Sequence, residues 1–168
     1  RCVAVAGERG PRVSVSAIGE KKHPRRAVAR CSDHAAPTAE ETPLPPSVAD
    51  TPPEDKSPAE WAYERLVLYI RDFEADLDNA HEVAMGFTGS PAGVLRIEGM
   101  GFFDPDIITF YGTDPQGIRT QLVQHVSQLN VLLRALPKLV EAEKPRRIGF
   151  RLAQRLEDAT REESPEAT

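Results

Sequence analysis

The fold is decided by residues 81–125, which read HEVAMGFTGSPAGVLRIEGMGFFDPDIITFYGTDPQGIRTQLVQH. Three strand-like runs in this stretch stop at a Ser or Asp followed by proline, within residues 90–93, 104–107 and 114–117. Proline presets φ at the second position of a turn, and the Ser or Asp before it can accept a backbone N–H two residues on. Short turns between consecutive strands predict an antiparallel β-meander.

The turns also predict the register of the strands. Gly93 and Gly117 are expected to take the left-handed conformation of three-residue hairpin loops. This loop type fixes two cross-strand pairs: Gly89 with Leu95, and Asp114 with Ile118. Because side chains alternate across a strand, one face of the sheet is predicted to be apolar, with Val83, Met85, Phe87, Leu95, Ile97, Phe103, Ile108, Phe110, Ile118 and Leu122. The other face is predicted to be mixed, with Glu82, Ala84, Thr88, Arg96, Glu98, Met100, Phe102, Thr109, Tyr111, Arg119 and Gln121.

Helices are predicted on both sides of this meander. Ser57, Pro58 and Glu60 form a capping box that begins a helix, and its apolar spacing continues to about residue 78. A second helix is predicted over residues 127–136, where Ser127 is the cap and spaced leucines precede the helix breaker Pro137. A third is expected from Pro145, with the apolar residues Ile148, Leu152 and Leu156 on one face. The predicted class is α+β: a four-stranded antiparallel β-meander with one N-terminal helix and two C-terminal helices.

The chain divides into three parts by composition. Residues 1–31 carry eight Lys/Arg against two Glu, and residues 32–60 carry one Lys against seven Asp/Glu and many prolines. We predict that residues 1–56 are disordered, that a single domain spans 57–162, and that 163–168 form a tail. The basic stretch also suits an organelle-import presequence or an extension from a misplaced start. The prolines at 43, 45 and 46 lack a PxxP motif with basic flanks, so no docking role is predicted for them.

Charge and cysteine content exclude several classes of protein. The net charge of the chain is −5, and the charges of residues 1–31 and 32–60 cancel. The excess of acid therefore lies in the folded part, which argues against nucleic acid as a partner. Cys2 and Cys31 both precede the predicted domain, so they indicate neither a disulfide framework nor a metal site. No apolar run approaches the ~18 residues of a membrane span. The expected location is cytoplasmic.

No motif predicts catalysis, a cofactor or a metal. His81 and His125 lie outside any metal-binding spacing, and Asp104 and Asp106 are explained as turn residues. The candidate contact surface is instead the apolar strip of the mixed face and its charged rim: Arg96, Glu98, Met100, Phe102, Tyr111 and Arg119. We therefore predict a non-enzymatic protein-interaction or self-associating module, a homo-oligomer or one with a protein partner. The alternative is an enzyme-like or small-ligand pocket, formed where the third helix covers this face, with Glu98, Tyr111 and Arg119 as its polar groups.

Four segments carry a family resemblance: HEVAMGFTG, VLRIEGMGFFDPDIITFYGTDPQG, TQLVQHVSQLNVLLRALPK and PRRIGFRL. Over about residues 58–157 the chain resembles a family of small uncharacterised bacterial proteins, mainly alphaproteobacterial, that share a domain of unknown function. The resemblance implies a small bacterial cytoplasmic domain and supplies no activity, cofactor or catalytic residue.

Overall fold

The computed structural model describes residues 26–29, 37–88, 93–141 and 143–162. Its helices are α1 (Pro46–Ala49), α2 (Pro58–Ala75) and α3 (Ile148–Glu162), with 3₁₀ turns at Pro53–Asp55 and Val126–Gln128. Its strands are β1 (His81–Phe87), β2 (Val94–Phe103), β3 (Ile107–Thr113), β4 (Arg119–His125) and β5 (Val131–Pro137). They form one antiparallel five-stranded sheet in the order β4-β3-β2-β1-β5. The α+β class and the meander of β1 to β4 are thus confirmed, while the number of strands is five rather than four.

Helix α2 begins where its capping box predicts. The Ser57 Oγ accepts a hydrogen bond of 3.1 Å from the Glu60 backbone N–H, and Pro58 occupies the first turn. The Ala59 N–H donates to the Pro105 carbonyl at 3.0 Å, which fastens the helix start to the turn between β2 and β3. The helix ends at Ala75, a few residues before the predicted end.

The helix predicted over residues 127–136 is wrong, because this segment contributes the edge strand β5. Strand β5 pairs with β1 at seven positions, from His81↔Pro137 to Phe87↔Val131. The Lys138 N–H donates to the Ala80 carbonyl in the same register, and hydrogen-bonded pairs alternate along an antiparallel ladder. The backbone nitrogen of Pro137, which carries no hydrogen, therefore points away from the sheet. An edge strand tolerates proline in this orientation.

The turn predictions are correct in conformation but not always in length. Gly93 and Gly117 both have positive φ, of 66° and 80°, and the Asp114 N–H donates to the Ile118 carbonyl at 3.0 Å. The predicted pairing of Leu95 with Gly89 is wrong, since Leu95 lies opposite Met85. The β1–β2 loop is thus longer than three residues. This shift of four residues is even, so it leaves the side chains of β1 on the predicted faces.

The sheet curls around α2. Strands β4 and β5 lie at opposite edges, yet residues 126–130 alone connect them. Crossing a flat sheet of this width requires about 19 Å, close to the limit of about 22 Å for a fully extended connection of this length. Residues 126–128 form a 3₁₀ turn, which advances only about 2 Å per residue. The two edges must therefore approach each other, and Val126 and Leu129 pack against the core as the connection passes.

The core lies between the sheet and the pair α2 and α3. Seven predicted apolar-face residues are buried there: Val83, Met85, Phe87, Leu95, Ile97, Ile108 and Phe110. Leu122 is partly buried against them. Phe103 and Ile118 were predicted to be buried but are 75% and 62% exposed. Ile118 lies in the turn before β4, and Phe103 follows an irregularity in β2 described below.

Residues before the predicted domain boundary at 57 also pack on α2 and α3. Val48 of α1 is buried, and the Lys56 Nζ lies 2.7 Å from the Glu64 carboxylate and 2.8 Å from the Val48 carbonyl. The proline-containing stretch to which no docking role was assigned therefore contacts the helix. The predictions for residues 1–25, 30–36 and 163–168 fall outside the described residues, and the division into domains stays a prediction.

Helices α2 and α3 are joined by a buried carboxylate. Glu74 of α2 is 1% exposed, and its Oε2 accepts hydrogen bonds from the Gly149 and Phe150 N–H groups at 2.8 and 3.4 Å. The Oε1 atom is buried and has no hydrogen-bond partner among the described residues. Burial raises the pKa of Glu74 to about 7, although the N–H groups at the start of α3 and the Arg147 charge act in the opposite direction.

We predict that Glu74 makes the stability fall as pH rises. A carboxyl whose pKa is about 7 in the folded chain and 4.5 when unfolded binds its proton more tightly when folded. Its contribution is therefore complete below pH 4.5 and is lost between pH 4.5 and 7. Between pH 4.5 and 8, the free energy of unfolding of the wild type should fall by roughly 2–3 kcal/mol more than that of Glu74→Gln. Urea denaturation across this range measures the difference, with the exposed Glu157→Gln as the matched control. Parallel pH profiles for wild type and Glu74→Gln would contradict the assignment.

A second prediction concerns the closest approach of the two helices. A Cβ atom at Gly149 would lie 2.6 Å from the Arg71 backbone nitrogen and 2.7 Å from its Cα. Gly149→Ala should therefore destabilise the fold by about 1–3 kcal/mol, although alanine is favoured over glycine in a helix by about 1 kcal/mol. Thermal unfolding measures the sign of the change. The exposed α3 substitution Gln154→Ala serves as control, and a stabilised Gly149→Ala would show that the helices are not in this contact.

Candidate contact surface

An irregularity in β2 decides which side chains share a face. The register of β2 with β3 shifts between Ile97 and Gly99, so that Ile97 lies opposite Gly112 and Gly99 opposite Tyr111. One extra residue on β2, Glu98, therefore reverses the alternation of side chains beyond it. The predicted strip of Met100, Phe102 and Tyr111 does not form, because the bulge places Tyr111 on the face opposite Met100 and Phe102.

Met100 and Phe102 lie on the side of the sheet that faces the helices. Met100 pairs with Phe110 across the strands and belongs to the core. Phe102 pairs with Ile108, and its ring centroid lies 5.2 Å from that of Tyr63 on α2. Phe102 is half-exposed at the end of the core. The prediction that both residues lie on the mixed face is therefore wrong, while their role in a contact stays a prediction.

The opposite face, which we call the open face, is not covered by α3. Helix α3 packs beside α2, and Ile148, Leu152 and Ala153 belong to the core cluster. Tyr111 and Val123 of the open face are 43% and 57% exposed. Gly99 and Gly101 lie beside Tyr111, since Cβ atoms at these glycines would contact its ring at 3.8 and 4.0 Å. On the open face, the Tyr111 ring therefore lies beside two glycines, which have no side chains.

Charged residues at one end of the open face are held in a network. The Arg96 guanidinium lies 3.3 Å from the Glu82 carboxylate and donates to the Pro137 carbonyl at 2.7 Å. Glu82 also accepts a hydrogen bond of 2.8 Å from the Arg146 N–H. The Arg146 side chain lies 3.8 Å from Glu98. Arg96 and Glu98 therefore join β2 to β1, β5 and the start of α3, and their first role is structural.

Arg119 lies at the other end of the open face, at the start of β4. It pairs across the strands with Thr113 and is exposed. Among the described residues, no carboxylate forms an ion pair with its side chain. Of the predicted contact residues, Arg119 and Tyr111 are thus the two that the structure leaves available on the open face.

The outer edge of β4 is unpaired in the described sheet. The Asp114 N–H donates to the Ile118 carbonyl, and the Val126 N–H donates to the Asp106 carbonyl at 2.8 Å, both in the β3–β4 register. Hydrogen-bonded pairs alternate along such a ladder, so the even-numbered residues of β4 bond to β3. The odd-numbered residues direct their N–H and C=O groups outward: Arg119, Gln121, Val123 and His125.

Three residues that the sequence analysis kept apart meet beside this edge. The His125 Nε2 lies 3.0 Å from the Asp106 carboxylate, and its Nδ1 lies 2.7 Å from the Ser127 Oγ. The Nδ1 also accepts the Ser127 N–H at 3.1 Å, which identifies the tautomer as protonated on Nε2. The group is exposed and caps the 3₁₀ turn after β4. The predicted register of β3 and β4 contained the signal, because it brings residue 106 opposite residue 126.

The described residues show neither a metal site nor a membrane span. No group of three or more His, Cys, Asp or Glu side chains within them could hold a metal ion. In the same part of the chain, no helix combines the length and apolar character needed to cross a bilayer. The described part of the chain contains cavities of about 50, 200 and 430 Å³. None of these three is lined by Glu98, Tyr111 or Arg119.

Comparison with known proteins gives one match. The model of a family of unknown function, DUF6173, matches residues 55–151, from just before α2 to the first turn of α3. No curated protein and no solved structure matches the chain. The matched region contains α2, the whole sheet and the Gly149 contact, and it excludes α1. The chain therefore belongs to the DUF6173 family of unknown function.

Proposed function

We propose that this domain is a non-enzymatic self-association module in which a second copy pairs with the outer edge of β4. The observation that carries the proposal is the row of outward-directed N–H and C=O groups on β4. Natural proteins usually blunt such an edge with proline, a bulge or lysine. Strand β4 reads RTQLVQH, with no proline, bulge or lysine and its one arginine, Arg119, at the first position, whereas the opposite edge strand, β5, carries Arg134 in its middle and ends in Pro137.

The sequence of β4 suits antiparallel pairing with itself. A two-fold axis at Leu122 places Gln121 opposite Val123 of the second copy, and Arg119 opposite His125 of the second copy. All four outward-directed residues then find backbone partners. The two sheets become one, so Val123 and Tyr111 of both copies lie on a continuous open face.

Charge supports this arrangement over a parallel one. His125 holds the Asp106 carboxylate at 3.0 Å, so pairing of Arg119 with His125 of the second copy brings a cation near that carboxylate. The contact occurs twice, once on each side of the axis. Salt should weaken the association modestly, since both groups are exposed.

The alternative of a ligand pocket receives no support from the described residues. It required α3 to cover the mixed face, and α3 packs with α2 on the other side of the sheet. Glu98 contacts Arg146 and is itself the extra residue of the bulge. The bacterial origin and cytoplasmic location rest on the sequence alone and stay expectations.

We predict that Val123→Pro weakens self-association while the domain stays folded. Proline removes one outward N–H without removing a hydrogen bond to β3, which edge strands tolerate. Light scattering coupled to size exclusion, over a dilution series of the full chain, should show a wild-type dimer at micromolar concentration and a dissociation constant at least ~10-fold higher for Val123→Pro. Val123→Thr keeps the N–H and is the matched control.

The charge contact has its own variant. Arg119→Glu should also weaken the dimer, and the difference from wild type should shrink at high salt. Far-UV circular dichroism checks that each variant is folded. A monomeric wild type at every concentration, or a folded Val123→Pro with unchanged dimer mass, would show that the β4 edge is not the interface.

A further inference from the structure

The outer side of α2 carries a groove that the proposed self-association does not use. Trp61, Arg65, Leu68 and Tyr69 lie on this side, away from the sheet, and line one cavity. The Arg65 guanidinium stacks on the Trp61 ring, 3.1 Å from its centroid, and Leu68 is buried. Aromatic rings with a stacked arginine present a flat, adaptable surface of the kind that proline-rich peptides bind.

Residues 37–54, which we call the front segment, occupy this groove. They include six prolines at positions 37, 43, 45, 46, 52 and 53. Pro45 and Pro52 have φ, ψ values of −56°, 146° and −59°, 146°, which are those of a polyproline II helix. Val48 anchors the segment at 3% exposure, and Leu44 lines the same cavity as Trp61.

Acidic groups of the front segment face polar groups of α2. The Glu40 carboxylate accepts a hydrogen bond from the Tyr69 hydroxyl. This hydrogen bond lowers the pKa of Glu40 and raises that of Tyr69. The front segment carries four Asp/Glu and neither Lys nor Arg. An occupant of the groove is thus expected to be acidic as well as rich in proline.

Open clefts border the front segment. One of about 50 Å³ lies beside Leu44 and Val48, and one of about 200 Å³ lies between residues 37–40 and the end of α2. The front segment therefore covers the groove only in part and leaves some of its surface open to solvent.

The range of the family match separates the groove from the front segment. The model covers residues 55–151, so it includes α2 and its groove but not the front segment. From these observations we propose that the outer face of α2 is a docking site for acidic, proline-rich peptides. The front segment is its occupant in cis.

A peptide joined to its own site needs little intrinsic affinity. Short tethers give effective concentrations in the mM range, so a dissociation constant of about 0.1 mM in trans suffices for about 90% occupancy in cis. A partner's segment of the same chemistry then competes when it binds more tightly or is presented in several copies.

The test releases the front segment in the full chain and supplies it again in trans. Leu44→Asp with Val48→Asp removes both apolar anchors, and Trp61 is the single tryptophan of the chain. In this double variant, Trp61 emission should shift to the red and its quenching by acrylamide should increase. A synthetic peptide of residues 37–54 should reverse both changes, with a dissociation constant of about 10–500 µM. The wild type should bind this peptide at least ~10-fold more weakly, because its groove is occupied.

Two controls make the result specific. The same peptide carrying Val48→Asp should not bind, and Arg65→Glu in the double variant should weaken binding of the acidic peptide. An exposed Trp61 that does not respond to the peptide at 1 mM would overturn the proposal, as would equal binding by wild type and double variant.

If the double variant fails to fold, a protease site at residues 50–51 of the wild type replaces it. After cleavage the N-terminal piece should stay bound at high concentration and leave on dilution, and a piece that never leaves would show that the segment belongs to the core.

Discussion

The bulge in β2 is the constraint on which the rest of the structure depends. Strand β2 pairs with β1 at only two described positions, before the bulge, and with β3 mostly beyond it. A bulge increases local twist and bends the strand that carries it. The bend lets the two halves of the sheet wrap around α2, and this in turn lets the short connection after β4 reach β5. The space beside the start of β1 is filled by residues 146–148, where Glu82 receives the Arg146 N–H and Ile148 enters the core.

Local features of the sequence predicted the structure well, and features that depend on distant residues did not. The capping box at Ser57 and the left-handed glycines act within a few residues, so their outcome follows from the sequence. The bulge at Glu98 inserts one residue, and no local signal distinguishes Gly99 in a bulge from Gly99 in a regular strand. Two of the six predicted contact residues are misplaced for this reason, because the extra residue moves Met100 and Phe102 to the other face.

The segment before Pro137 shows why helix and strand were confused. Its leucines satisfy a helical spacing, and proline normally ends a helix. In an edge strand the same proline costs no hydrogen bond, provided that its nitrogen points outward. That condition depends on the pairing of β5 with β1, residues more than forty positions away. The Asp106, His125 and Ser127 group was missed although the predicted β3–β4 register brings residue 106 opposite residue 126, because no local motif marks the three residues as a group.

Helix α2 lies between the sheet and residues 37–54. The partners of its buried carboxylates determine which neighbouring segments can leave the helix. Glu74 is satisfied by the start of α3, within the family region. Glu64 is satisfied by Lys56, which also lies within that region, while burial raises the pKa of Glu64. Residues 37–54 can therefore leave the helix without stranding a buried charge, the most costly consequence of breaking such a pair. When residues 37–54 leave, Lys56 loses one polar contact, the hydrogen bond to the Val48 carbonyl. Water can replace this acceptor once the groove is open. A docking site whose charges stay paired when it is empty can exchange occupants.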